Sequence, residues 1–396
     1  MHILLIININ LWTSENRDVN YYELIEGDGS APQFPALIIS DIIIEKRTCE
    51  TWDLFCVTDE INMPSNDVLL NQINTATSVL LIGLSLVSFV SGVVGLTCNV
   101  LVFTRPILHR QPCSLYFLSS TYYNLYVILV VIPVRIISEN FNLDSANYNL
   151  GCCKLETFSF YATRTISCWL IAAATFDRFL HSSSNVSIRQ LSSLKTAKLI
   201  IGITSITIPL LYSHMIVYFV ITNVPDRLGN IVARCNAQIG VYRTLLGFWY
   251  MVWYSFFPSF IMLLFGLLTL NNLRQHRQIV PKLSHVTLIA RRTDTQILRM
   301  LIGQVLVIII CTVPFSIYRL YSTFTASLVK DTLRLAQENL ALEIVGAVTF
   351  FAHSSSFYLY TLNGTIFRKE FIKIIARFRH HNRNEIYPME ILQRNE

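Results

Sequence analysis

Seven stretches of this chain are apolar over the length a helix needs to cross a lipid bilayer, and that recurrence limits the fold more than any other feature. They lie at about 79–103, 114–137, 155–180, 197–221, 242–270, 298–321 and 341–362, each bounded by polar or charged residues. A run of roughly 18 or more apolar residues, wound as a helix, spans a hydrocarbon core about 30 Å thick. Composition points the same way: 53% of the residues are hydrophobic and 14% charged, where a soluble domain carries about 25% charged residues. Backbone groups in lipid must be satisfied within their own segment, and these runs are too long for barrel strands. The expected fold is therefore all-α, a seven-transmembrane helix bundle with its two termini on opposite sides.

Lysine and arginine in short loops mark the cytoplasmic side of a membrane. The connections after spans one, three and five hold Arg105 and Arg110; Arg189, Lys195 and Lys198; and Arg274, Arg277, Lys282, Arg291 and Arg292. Arg368, Lys369, Lys373, Arg377, Arg379 and Arg383 follow span seven. Residues 1–77 hold twelve acidic side chains against three basic ones. The N-terminus is thus predicted outside and the C-terminus inside, in a multi-pass protein of the plasma membrane. The net charge of +6 resides in these loops, so the lipid bilayer is the expected partner and nucleic acid is not.

Three regions follow: an outer tail at 1–77, largely disordered; the bundle at 78–363; and a short inner segment at 364–396. Residues 1–12 read as a weak signal-segment core, without a basic start or a clean small-residue cleavage site. The sequons at Asn185 and Asn363 fall on the inner side. Residues 364–380 alternate Phe and Ile with Arg and Lys at near-helical spacing, the pattern of an amphipathic helix lying on the inner leaflet.

Topology also sorts the nine cysteines. Cys98, Cys168 and Cys311 are mid-span packing residues and Cys113 lies at the inner face. Cys152 or Cys153, at the top of span three, reaches Cys235 in the second outer loop. Cys49 and Cys56 are a possible second pair, although sequence alone does not fix connectivity.

A set of landmarks in order resembles the rhodopsin-like (class A) G-protein-coupled receptors. Asp177-Arg178-Phe179 closes span three like the family's Asp-Arg-Tyr, and Cys153 stands 25 residues before Arg178, the family's separation between that Arg and its disulfide cysteine. Asn99 with Val102 looks like the Asn-x-x-Val of span one, and Asn124 lies nine residues before Pro133 as the family's Asp and Pro do in span two. Pro258 in span five, Cys311-Thr312-Val313-Pro314 in span six and Tyr360 with Phe367 after span seven complete the series. The match covers roughly residues 79–380, and the Ser-rich end of span seven is nearest to invertebrate neuropeptide receptors.

The resemblance implies a function: binding of an extracellular ligand, a peptide by this likeness, is converted into activation of a heterotrimeric G protein by outward movement of span six. It implies a switch in which Arg178, beside Asp177, pairs with Asp294 at the inner end of span six, with Tyr360 taking part. Pro258, Pro314 and Cys311 are hinge candidates. It also implies the disulfide Cys153–Cys235.

The departures are equally specific. Asn124 replaces the usual Asp, so the family's sodium pocket keeps Ser167 and a structural Asn99 but loses its carboxylate, the donor a hard cation needs. Thr312 replaces a Trp, Gly266 a Tyr, and Ser356-Phe357-Tyr358-Leu359-Tyr360 stands for Asn-Pro-x-x-Tyr. Span seven has no Lys for a retinal Schiff base, and Phe160 occupies the place of an amine receptor's Asp. Ionisable side chains inside a membrane are functional or paired. Arg135, Arg164, Arg319 and Glu343, with Phe160, are accordingly the candidate ligand pocket, Arg164 and Arg319 suiting an anionic group.

No metalloprotease or serine-hydrolase motif is present, no cofactor or metal is expected, and the protein is not expected to be an enzyme. The alternatives are a receptor-like membrane protein without G-protein signalling and a small-solute transporter, although transporters often show internal repeats.

Overall fold

Each apolar run is carried by a long helix in the computed structural model, which describes residues 66–377 apart from 142–144, 226–230, 280–284, 326–327 and 329. Helix α1 is Asn66–Phe103. Helix α2 runs through Pro112–Tyr126, a π-helical turn Val127–Val131 and Ile132–Phe141; α3 is Leu150–Ser182. Helix α4 is Leu194–Tyr212, continued by His214–Tyr218. Helix α5 joins Val241–Tyr250, a second π turn Met251–Phe256 and Phe257–Ile279; α6 is His285–Phe324. Helix α7 is Thr332–Ser354 with Ser356–Asn363, and α8 spans 365–377.

Six of these helices are long and apolar enough to cross a membrane. The seventh, α3, has 33 residues, and Arg164, Asp177 and Arg178 dilute its apolar character. It is the hub of the bundle, packed against α2, α4, α5 and α6, while α1 packs on α2 and α7. The outer faces are apolar: Ile203, Ile206 and Leu210 of α4 and Val79 and Val87 of α1 stand exposed, as lipid contact requires.

Helix ends depart from the sequence expectation for a physical reason. Hydropathy detects only the part within hydrocarbon, roughly 30 Å, whereas a 38-residue helix is about 57 Å long. Residues 66–77, expected in the irregular tail, therefore form the first turns of α1, and α6 starts at His285 rather than near 298. The fourth run also ends early. Phe219–Pro225 (β1) pairs antiparallel with Ile231–Ala237 (β2), Phe219 opposite Ala237. Val220, Ile221, Thr222 and Val224 suit a strand, and this ribbon is an exception to an all-α chain.

Both π turns have the same origin. Val131 and Phe256 each end two residues before a proline, Pro133 and Pro258. Proline lacks an N–H and clashes with the carbonyl four residues back, and widening the preceding turn relieves the clash. In α5 the Phe257 N–H bonds the Val252 carbonyl, five residues back. The Trp253 carbonyl would need the N–H of residue 258, which is proline, and instead accepts the Trp169 indole N–H of α3 at 2.8 Å.

Two glycines are required by geometry. Gly240 opens α5 at φ 115°, and a Cβ on Gly364, between α7 and α8, would sit 2.6 Å from the Met300 sulfur and 2.7 Å from the Tyr360 carbonyl.

Candidate functional site

One end of the bundle carries a disulfide. Cys153 in the first turn of α3 is bonded to Cys235 in β2, their Cα atoms 5.6 Å apart, and the Cys235 N–H donates to Asn147 at 2.9 Å. The bond draws the β-ribbon onto the helix end. Its neighbour Cys152 is an exposed free thiol, because adjacent positions on a helix point about 100° apart; this resolves the choice between the two cysteines left open by sequence. Cys49, Cys56 and residues 1–12 lie outside the described residues.

At the opposite end, Asp177 and Arg178 are buried, 4% and 3% exposed, with N···O 3.6 Å between them. Such a pair at a helix end is ordinarily solvated. Here Ser192, in the connection to α4, donates to Asp177 at 2.9 Å, fixing the loop to α3. The Asp294 side chain lies outside the described residues, so its expected pairing with Arg178 stays an expectation. Nearby, Tyr360 is buried against the rings of Phe103, Phe117 and Phe367, which knit α1, α2, α7 and α8 together. Gln296 of α6 accepts the Ile366 N–H of α8 at 3.1 Å.

Between the two ends runs a chain of polar side chains. The Ser167 hydroxyl of α3 donates to Asn124 of α2 at 2.5 Å and lies 2.9 Å from Ser120. His353 of α7 meets the same Asn124 oxygen at 2.8 Å, and its other ring nitrogen is 3.4 Å from the Tyr254 hydroxyl. Asn99 of α1 donates to Ser356 at 2.9 Å. Hydroxyls, an amide and an imidazole thus occupy the middle of the bundle, and none of these groups is a carboxylate.

Above them lies Arg164, 1% exposed. Its guanidinium donates to the Tyr254 hydroxyl at 3.2 Å and to Thr349. The rings of Phe160, Tyr254, Phe315 and Phe350 surround it at 4.8–5.7 Å, and its Nε has no hydrogen-bond partner. A buried cation without a counter-charge is costly; each ring face returns about 0.5–2 kcal/mol. One turn nearer the disulfide end, Arg319 donates to the Tyr161 hydroxyl at 3.0 Å.

The residues expected to line one pocket therefore divide. Arg135 and Glu343 form an ion pair with N···O 2.7 Å, so Glu343 neutralises Arg135 and not Arg164 or Arg319. Phe160 is a wall of the Arg164 cage. Cys311 is buried, and Pro314 sits inside α6 next to the cage residue Phe315. Tyr254, Thr349, Phe350 and Tyr161 were not foreseen from the sequence. The usable signal was position: Tyr254 is four residues before Pro258, and Thr349 and His353 share a face of α7 at a spacing of four. Among the described residues no three His, Cys, Asp or Glu side chains gather as a metal site.

A family model described as 7 transmembrane receptor (rhodopsin family) matches residues 72–358. No match was found among the curated proteins compared.

Proposed function

Because the chain belongs to the rhodopsin family of seven-transmembrane receptors, we propose that it binds an extracellular peptide at the disulfide end and activates a heterotrimeric G protein at the other. The single observation that carries this reading is the family match over residues 72–358; Arg178, buried at the end of α3 where such receptors meet their G protein, supports it. The charge of the loops supports an outer N-terminus and an inner α8. Three parts of the chain then take these roles: the outer tail, the bundle, and the inner segment beyond Asn363.

In this account Pro314 is the hinge. The part of α6 below it swings outward, releasing Arg178 from Asp294 and opening a cleft for a G-protein helix in the helix-in-groove manner. Pro258 and the π turn before it let α5 follow, while Cys311 packs at the bend. Tyr360 and its aromatic neighbours hold the α7–α8 corner against which α6 closes. A peptide suits a mouth carrying several arginines, in keeping with the likeness to invertebrate neuropeptide receptors.

One observation favours a second reading, a membrane protein of receptor fold that does not signal. Thr312 is fully buried 3.4 Å from Ser255, so two hydroxyls face each other where the family has a Trp. The two readings part on a peptide-library challenge of cells expressing the full chain with a G-protein dissociation reporter. A response that disappears in Arg178→Ala at equal surface level supports the receptor; a response untouched by that substitution excludes the proposed coupling.

A further inference from the structure

Among the described residues, three arginines toward the disulfide end, Arg243, Arg319 and Arg164, form no ion pair with an acid, and they are stacked in tiers. Arg243 lies in the first turn of α5. Four residues on, Gly247 meets Thr323 of α6 so closely that a Cβ there would be 2.9 Å from the threonine oxygen. Arg319 is four residues deeper than Thr323, and Phe315, whose ring faces the Arg164 guanidinium at 5.7 Å, is four deeper again. Four residues of helix advance about 6 Å, so Arg319 and Arg164 are about one turn apart.

No described acid serves these tiers. Glu343 is taken by Arg135, and Glu338 by Lys330 at 2.5 Å and Arg334 at 3.3 Å. The rings of Phe160, Tyr254, Phe315 and Phe350 surround Arg164, and among the described residues no carboxylate forms an ion pair with it. Arg243 is close enough to Arg319 for their charges to oppose. Tyr161 separates the lower two tiers, its hydroxyl on Arg319 and its ring against Phe160 and Tyr250.

Resting on the receptor reading above, we infer that Arg243, Arg319 and Arg164 form a stepped anion site for an extended acidic peptide segment whose carboxylates are two residues apart. Alternate side chains of an extended chain project about 6.7 Å apart, which matches the step between Arg319 and Arg164. The first carboxylate displaces the Tyr161 hydroxyl from Arg319 with a forked pair of hydrogen bonds. Tyr161 turns aside, and the second carboxylate reaches Arg164, whose Nε supplies an unused donor. Charge pairing is strongest at this lower tier because water is excluded.

The test uses purified full-length protein in detergent and thermal unfolding, with the capped, amidated tripeptide Glu-Ala-Glu and its neutral counterpart Gln-Ala-Gln at matched ionic strength. A ligand of the folded state raises the unfolding temperature. The acidic peptide is expected to raise it and the neutral one not; Arg319→Gln removes the shift, and Lys369→Gln at the far end keeps it. Should Arg319→Gln fold poorly, Arg164→Met, which removes the partner of the second carboxylate, gives the same comparison. Equal shifts from both peptides, no shift from the acidic one, or a shift that survives both arginine substitutions overturns the inference. The assay contains no G protein, so such a failure leaves the receptor reading to be judged by basal signalling, which needs no ligand.

Discussion

Arg164 shows how a single residue sets the character of the bundle. Its charge is buried in a ring cage with two hydroxyl partners and, among the described residues, no acid. Taking a charge out of water costs on the order of several kcal/mol per ion, a cost that an apolar side chain of similar length does not bear. Arg164→Met is therefore expected to hold or raise the unfolding temperature of the purified protein while abolishing any ligand response; a fall comparable to a core cavity would show that the cage needs its cation. The cysteines give a second contrast. Cys153→Ser removes the disulfide and should lower surface expression and stability by about 2–5 kcal/mol, whereas Cys152→Ser should leave both unchanged, as read by surface labelling and thermal unfolding. Arg164 was legible in the sequence as an intramembrane charge, but its partners were not, because Tyr254, Thr349 and Phe315 come from three other helices and no local pattern joins them to residue 164. Arg135 and Glu343 were legible likewise as intramembrane charges, functional or paired, and the structure has them pair with each other.

The bundle's elements were legible where hydrocarbon imposes a rule and obscure where it does not. All seven apolar cores stand out, yet the end turns of α1 and α6 beyond those cores follow ordinary helix propensity and left no hydropathic mark. The π turns were visible only as Pro133 and Pro258, since a widened turn is set by what proline cannot donate. The Trp169 indole that caps the freed Trp253 carbonyl is the consequence in three dimensions. Trp169→Phe should leave that carbonyl unsatisfied and cost about 1–3 kcal/mol, measurable as a lower unfolding temperature; an unchanged value would mean another donor reaches it. The contact between α6 and α8 bears on the proposed swing of α6. Gln296 holds the Ile366 N–H, so an outward swing of α6 must break this bond, and Gln296→Leu is expected to raise basal G-protein activation at equal surface level. Unaltered basal activity would mean that α6 does not part from α8. The middle of the bundle carries Asn124, Ser167 and His353 without a carboxylate, and agonist affinity should not shift when sodium replaces a large organic cation in the assay buffer.

At the scale of the molecule, an arginine-bearing end tied by Cys153–Cys235, a neutral polar middle and a buried Asp177–Arg178 pair form one column along α3. Family membership was legible from landmarks in order, because each is fixed by a local demand such as a proline kink or a helix-end charge. The ligand was not, because the arginines proposed to read it stand on three different helices, α3, α5 and α6. We propose that this column is a switch held off at its inner end by the pairing of Arg178 with Asp294. Basal G-protein activation in cells expressing wild type and Asp294→Ala, without added ligand and normalised to surface level, tests it most directly. The account predicts higher basal activity in the variant; equal activity in the two, with both at the surface, would contradict it.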